Sequence, residues 1–538
     1  MPTVGLDRIA QQRDFSRGMF RGIREDLIPP NGAEDITNGL LDNTGSVYRR
    51  GGTTFRTEER FSTATWLPMI WDGYLTGGQR TVIASTAEFG TVTGSATAVL
   101  GASGMAAPGR PAAFLGTLYF PGGQTYNGTA LGTAAKIGQF YAVAGNRLFV
   151  ASGDTISFSD IGAGGIGTVT FNATDYHQVP EGVQVIGLEG LRNALVAFTT
   201  GGVWVYSNIG FDLTDASGNV QHRVDRYSRD LILWGDAGIA AWEGGLVVPA
   251  LDDVWIMSLG VASEAPSPFQ RISEPISGLY RAYVAAGYRP GQACVHRGHY
   301  LLPILNNETV VDVLVCRVDR PEYPWSHLTG FGAEVPAFVV RTTGSMPELI
   351  GTSAGTGRVM DLHYFEPTLD VARDANQTSH RWALQLRDYA TGPLSLNTVT
   401  KVRLGYDLGE MHAGPPPVAV ETIWGAFSWG TTDWGTTPAD LEFEGEPYIR
   451  LVELTGQPPA GQAQWGLFDW GSENWGLTSG ADMIESDAPP DEFGTDPHTW
   501  HMARRRRFVR FRLECPRATS HLTVRWVEVY ARSSGRIT

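Results

Sequence analysis

Apolar positions along the chain fall into two rhythms. From about residue 75 to 365 they come in short bursts that follow one loose phrase: a turn, an apolar strand, a second turn, then a strand that ends near a serine. GNRLFVASGDTISFS begins at Gly145, LRNALVAFTTGGVWVYS at Leu191 and EGGLVVPALDDVWIMS at Glu243. The closing serines, Ser159, Ser207 and Ser258, are 48 and 51 residues apart. RGHYLLPILNNETVVDVLVCRV from Arg297 and PELIGTSAGTGRVMDLHY from Pro347 continue the series, and QRTVIASTAEFGTV from Gln79 and GTLYFPGGQTYNG from Gly116 are looser copies. A period near fifty residues, each unit a few antiparallel strands, is what a propeller blade needs. One four-stranded blade cannot bury both faces alone, whereas a closed ring of blades can. The pattern therefore predicts an all-β chain with a β-propeller of six or seven blades over 61–365. The competing arrangement is a sandwich of unrelated hairpins.

After residue 366 the phrase stops and strict alternation takes over. TSHRWALQLRDY sets Trp382, Leu384 and Leu386 against Ala383, Gln385 and Arg387, the signature of a half-buried strand. NTVTKVRLGYDLGE reads as its partner. RRRRFVRFRLEC sets Val509, Phe511, Leu513 and Cys515 against Phe508, Arg510, Arg512 and Glu514, and HLTVRWVEVYAR reads as the next strand. These four predict an antiparallel C-terminal β domain over 366–538, a small sheet or sandwich, interrupted by a loop-rich insert at about 410–500. Residues 1–60 read as a docking segment. Pro29 and Pro30 keep the chain extended. Asn31, three residues before Glu34 and followed by DITNGLLD, resembles a capping box on a short helix. A turn at Asn43-Thr44-Gly45 and a basic VYRRGG from Val47 follow.

Composition agrees with short strands and tight turns. Among 538 residues, 66 are Gly, 11% are aromatic and only 18% are charged. The formal net charge of −15 argues against a nucleic-acid groove, which draws its affinity from Lys and Arg on phosphates. It is compatible with a surface past which nucleic acid slides. Cys294, Cys316 and Cys515 form neither a disulfide framework nor a metal pattern. MPTVGLDRIAQQRD has no apolar core of a signal peptide, and no apolar run has the length of a membrane span.

Candidate chemistry is thin. GAGGIG at Gly162–Gly167 fits a dinucleotide fingerprint, but the strand-like GTVTFNATDYH follows where a helix is required, so it reads as a blade loop. His296 and His299, and His498 and His501, are spaced by three, which on a strand puts them on opposite faces; they read as solvated turn residues rather than metal ligands. FDLTDASGNV, with Asp212, Asp215 and Asn219, lacks the closing Glu of a calcium loop and reads as a turn. The acidic run Asp482, Glu485, Asp487, Asp491, Glu492 and Asp496 reads as a solvated loop, with Arg504 to Arg507 close behind it. No cofactor, metal or catalytic set is expected.

The insert carries one phrase twice, WGAFSWGTTDWG from Trp424 and WGLFDWGSENWG from Trp465. Trp424, Trp429, Trp434, Trp465, Trp470 and Trp475 recur at a spacing of five within each phrase, which matches neither a strand face nor a helix face. Trp-Gly pairs suit turns that pack large rings close to the backbone. They read as packing or interface anchors, with sugar stacking as the alternative.

RDFSRGMFRGIREDLIPPNGAEDITNGLLDNTGSVYRRGG resembles the opening of tail proteins of short-tailed bacteriophages. The resemblance rests on Phe15, Ser16 and Gly18, on Pro29 and Pro30, on Asn38 and Gly39, and on Gly45 to Gly52 with Arg49 and Arg50. It covers about forty residues by motif and most of the remainder only by architecture. It implies a tail nozzle (tail tubular B-like) protein, with a tail hub or packaged-DNA stabilisation protein as runner-up. Such a protein is a non-enzymatic virion component, assembled in the bacterial cytoplasm. It forms a homohexameric ring below the adaptor proteins, near fibres or spikes, and retains and then conducts DNA. A carbohydrate-binding or depolymerising propeller remains the reading from another class.

Overall fold

The computed structural model describes residues 7–366 apart from 23–26, 62–65, 86, 103–108, 161–168, 192, 210–219, 221, 244, 259–268, 331–333, 343–345 and 355. Beyond these it describes 382–387, 389–390, 395–408, 450–453, 483–484, 498–506, 508–509, 511–515 and 522–536. The chain divides into two compact units. One comprises Thr53–Tyr323 and Gly332–Leu362; the other comprises Met1–Gly52, Pro324–Phe331 and His363–Thr538.

The first unit is a β-propeller of seven blades. Their inner strands are Met69–Leu75, Ala112–Phe114, Phe140–Ala144, Val185–Leu191, Ala240–Trp242, Cys294–His296 and Phe338–Arg341, for blades 1 to 7 in order. Blades 1 to 5 are each a four-stranded antiparallel meander. Blade 6 continues into the long pair His299–Asn306 and Thr309–Arg317. Blade 7 takes its fourth strand, Thr53–Phe55, from the beginning of the unit, with Thr54 opposite Asp361. That borrowed strand ties the last blade to the first stretch of chain and closes the ring.

Every neighbouring pair of blades is joined. Shared apolar clusters fill the seams between blades 1 and 2 (Val82, Phe89, Phe120), 2 and 3 (Phe114, Leu148), 3 and 4 (Phe149, Leu195), 4 and 5 (Val205, Leu246), and 7 and 1 (Ile350, Ile83). Burying each such side chain contributes about 1.5–3 kcal/mol before entropy. Backbone acceptors are also bonded across the seams on either side of blade 6. Tyr300 Oη donates to Gly238 O at 2.6 Å, and Phe338 N donates to Gln292 O at 2.9 Å.

The repeated phrase of the sequence has a geometric origin. In several blades the hairpin between first and second strand turns on two residues in the left-handed region: Leu115-Gly116, Gly145-Asn146 and Arg297-Gly298. Such turns match the twist of paired strands. Second strands begin at Gly78, Thr117, Arg147, Ala194, Gly245, His299 and Glu348. The first two steps are therefore 39 and 30 residues, and the later four lie between 47 and 54. Inner strands pack closely enough that a Cβ on Gly190 of blade 4 would meet Val143 O of blade 3 at 1.9 Å.

Among the described residues the second unit holds two large sheets and a separate two-stranded pair, Tyr389–Ala390 with Phe508–Val509. In one, Ser395–Leu408 lies between His498–Arg506 and the long Leu522–Arg536, which also pairs with Asp7–Gln12 and Val47–Arg49. In the other, Trp382–Gln385 lies between Asp35–Thr37 and Phe511–Cys515, and Arg450–Glu453 extends the edge. Trp382, Leu384, Leu386, Phe511 and Leu513 are buried as the alternation predicts, but Ala383 and Glu514 of the opposite face are buried too. The expected partnership of Trp382–Gln385 with Ser395–Leu408 is corrected, because they belong to different sheets. Alternation specifies which face is buried and carries no information on which strand pairs with which.

The helix expected after Asn31 is also corrected. Gly32–Ala33, Asp35–Thr37 and Gly39–Leu41 are strands. Asn31 does not cap a helix; its Nδ2 donates to Ser16 Oγ at 2.8 Å. Glu34 N donates to Gln385 O at 2.9 Å, so long-range ladder bonds outcompete the local signal. Asn38, at φ 53, turns the chain from one sheet into the other.

Candidate functional site

The segment singled out from the sequence is woven into its own unit. Phe15 is fully buried, and Arg49 and Arg50 are buried as well. Arg50 Nε donates to Asn38 Oδ1 at 3.1 Å, one guanidinium nitrogen donates to Gly51 O at 3.2 Å, and the group lies 5.2 Å over the Tyr364 ring. Pro29 O accepts from Gly32 N at 2.9 Å, and Pro30 is exposed. Gly18, at φ +69, leaves no room for a side chain against the Trp325 backbone, and a Cβ on Gly51 would lie 2.0 Å from His363 O. The turn after Leu41 is held by Asp42 Oδ1, which accepts from Thr44 N at 2.7 Å and Ser46 N at 2.9 Å. Nearby, His327 Nε2 lies 3.0 Å from both Asp35 Oδ1 and Thr37 Oγ1. Burial alone would raise Asp35, but His327, Arg21 and Thr37 outweigh it and hold the carboxyl below its ordinary value. Acid and hydroxyl meet the same ring nitrogen, so this is not the relay of a nucleophilic triad, which needs both nitrogens.

The structure assembles a polar centre in the propeller that the sequence did not advertise. Arg110 precedes the inner strand of blade 2 and reaches past blade 3 to form an ion pair with Glu189 on the inner strand of blade 4. The Arg110 backbone N–H also bonds Asp236, just before the inner strand of blade 5. Burial pushes the Asp236 carboxyl up to about 6, and Arg110 pulls against that rise. Gln292 joins three blades. Its Nε2 donates to Ile70 O at 2.6 Å and Phe338 O at 3.1 Å, while its Oε1 accepts from Ile70 N at 3.2 Å. Single Arg, Glu, Asp and Gln residues on separate blades leave no sequence motif, so ring closure alone brings them together.

Another ionic cluster lies where blade 7 meets blade 1. The Arg56 guanidinium is 2.6 Å from Asp361 Oδ1 and 2.8 Å from Glu348 Oε2. Burial raises Asp72 although Thr81 donates to it at 2.6 Å and Gln79 at 3.1 Å. Its carboxylate oxygens are occupied, so the cluster braces a seam and presents no free general base.

His296 and His299 face each other across a two-residue turn, and both are buried, which corrects their reading as solvated. Among the described residues no group of three or more His, Cys, Asp or Glu is placed to hold a metal ion. No helix there is long and apolar enough to cross a membrane. Cys294 and Cys316 are free thiols raised by burial. Trp424, Trp429, Trp434, Trp465, Trp470 and Trp475 lie outside the described residues, as do GAGGIG, Asp212, Asp215, Asn219 and most of the acidic run. The side chains of His498, His501 and Arg504 to Arg507 are likewise not among those described.

No family model and no curated protein matches the chain. Solved structures with partial likeness include the extracellular domain of BT4673 from B. thetaiotaomicron, at 10% identity and a TM-score of 0.37, covering 57% of this chain and 40% of that one. BBS1N in complex with ARL6DN is 11% identical with a TM-score of 0.32, over 59% of this chain and 98% of that one. The Neurospora crassa Pan2 WD40 domain is 12% identical with a TM-score of 0.35, over 61% of this chain and 98% of that one. The chain thus spans less than half of the Bacteroides domain.

Proposed function

We propose that the chain is a structural subunit of a short-tailed bacteriophage tail, of the nozzle type, forming a ring that retains and then conducts DNA. One observation carries this reading. Several of the residues that bear the resemblance to phage tail proteins are ones on which the second unit's fold turns. Phe15 fills its core, Gly18 and Gly51 admit backbone where no side chain fits, and Arg50 bonds Asn38 at the switch between sheets. Residues whose places the fold constrains in this way support reading the run as a fold signature.

Charge supports the same reading. Six copies would carry −90, six times −15, and an acidic lumen repels a phosphate backbone and keeps DNA moving. Arg110 and Glu189 bridge the propeller from blade 2 to blade 4, so on this reading DNA passes between copies and not along the axis of one propeller. The test is imaging of virions labelled at the C-terminus, with native mass measurement of the purified protein. Label at the distal end of the tail and a hexameric mass are expected. Label inside the capsid or on fibres, or a stable monomer in assembled tails, overturns the proposal.

A further inference from the structure

Between blades 3 and 4 four planar groups are layered. The Arg147 guanidinium lies over the Phe158 ring at 5.4 Å. Phe158 stacks on His177 at 4.9 Å, and His177 stacks on Tyr206 at 5.3 Å between centroids. His222 meets His177 edge-on, with its Nδ1 2.7 Å from His177 Nε2. His177 sits in the outer strand of blade 3, Tyr176–Gln178, and His222 immediately precedes the outer strand of blade 4, Arg223–Ser228. One imidazole–imidazole hydrogen bond therefore links the outer edges of successive blades.

Such a bond requires a bare nitrogen on one ring, because two imidazolium rings would point hydrogen at hydrogen. The surroundings offer little to stabilise added charge. His222 Nε2 and Tyr206 Oη are buried with no hydrogen-bond partner among the described residues. Arg147 is a fixed cation beside the pair, already donating to Ile209 O at 3.2 Å and Ser159 O at 2.7 Å. Asp175 is the carboxylate that acts on His177, and its Oδ2 already accepts from Asn172 at 2.7 Å. Arg223, next to His222, is exposed and paired with Asp225 at 2.7 Å. Burial pushes His177 down to about 4 and, with His177 and Arg147 adding repulsion, His222 to about 3.

We propose that the His177–His222 pair is an acid-operated latch that joins blade 3 to blade 4 at their outer edges while at least one ring is neutral and releases them when both rings take up protons. In the opened state both rings return to water and titrate near the ordinary value of about 6.5. Opening therefore takes up protons as pH falls from about 6.5 towards 4. The ratio of closed to open drops about tenfold per pH unit for each histidine that titrates with opening.

Hydrogen exchange of the full-length protein tests this, read between pH 7 and 4.5 and corrected for intrinsic exchange rates. Protection in peptides covering Tyr176–Gln178 and Arg223–Ser228 is expected to fall about tenfold to a hundredfold per pH unit below 6.5. Gly245–Pro249 of blade 5 serves as the control and is expected to hold. The double variant His177→Phe/His222→Leu keeps the stack and is expected to flatten the slope. A flat wild-type profile, or the same slope in the variant, overturns the latch. If the variant does not fold, 13C-histidine NMR of the wild type decides. Two ring resonances with midpoints below 5 support the latch, and only ordinary midpoints near 6.5 reject it.

Discussion

The propeller and the second unit solve the same burial problem by opposite routes. Within blades 1 to 5 each strand pairs with its neighbour in sequence, and one strand, Thr53–Phe55, comes from afar to close blade 7. In the second unit nearly every ladder is long-range. Asp35 pairs with Gln385, Val47 with Val524, and Asp7 with Ala531. Local meanders form at small loop-closure cost, whereas a sheet stitched from distant pieces must meet that cost before any contact rewards it. The propeller's stability is therefore spread over repeated seams, and the second unit's is concentrated in a few side chains that hold the pieces together.

Trp382→Ala gives that contrast its largest expected effect. The side chain is fully buried, and Gly39 at the start of Gly39–Leu41 lies close against its Nε1. Truncation is expected to cost about 3–5 kcal/mol. Hydrogen exchange should show the loss in Leu522–Arg536, with Ala194–Thr199 of blade 4 still protected. Equal loss in both places would mean that the two units share one cooperative transition, and the contrast would fall.

The same difference explains what was legible in the sequence. Blades announce themselves through two-residue turns such as Gly145-Asn146 and Arg297-Gly298, followed by apolar strands, so their period could be read. Blades 1 and 2 blurred it because their steps are shorter, which is why the blade number stayed open between six and seven. In the second unit the buried face of Trp382–Gln385 was readable, but its partners were not, since Asp35–Thr37 lies hundreds of residues away. The apparent capping box at Asn31 misled because the Glu34 amide is taken by Gln385. Of the candidate sites, Phe15 and Arg50 were found through a motif. Arg110, Asp236 and Gln292 had no signal, since a ring brings together residues that no sequence window contains.

Gln292→Ala asks whether the propeller is as redundant as repeated seams suggest. The change strips partners from Ile70 N, Ile70 O and Phe338 O at once. Buried polar groups left unsatisfied should bring the cost to about 2–3 kcal/mol. Urea unfolding monitored in blades 1 and 7 measures it. A cost below about 0.5 kcal/mol would show that the apolar seams carry the ring alone.

Asp236→Asn is expected to act in the opposite direction. Its folded carboxyl titrates near 6, against the ordinary 3.8. A raised carboxyl means that the folded state holds its proton more tightly, so this group adds stability as pH falls from 6 towards 3.8 and withdraws it as pH rises through 6. Above pH 6 the ionised side chain burdens the fold, and Asn, which keeps an acceptor for Ala237 and Arg110, removes the burden. The residue is partly exposed, so the gain at pH 7 should be about 1–2 kcal/mol, shrinking towards zero at pH 4. Paired urea midpoints at the two pH values give the answer, and an equal gain at both would reject the assignment.

Arg223→Ala marks the lower limit. Arg223 Nε sits 2.7 Å from Asp225 Oδ2, as short as the contact between Arg281 and Asp253 at 2.8 Å. Distance therefore predicts equal worth for the two pairs. Their surroundings differ, because the Arg223 side chain is 69% exposed and Asp225 is 40% exposed, whereas Asp253 is 2% exposed and also meets Arg271 and Ser273. Water and salt screen the first pair, and ordering two long side chains offsets what attraction remains. Losing it should shift stability by no more than about 0.5 kcal/mol at low salt, and by less at high salt. A loss above about 1 kcal/mol would show that even the exposed outer strands of the propeller lean on single contacts, as the second unit does on Trp382.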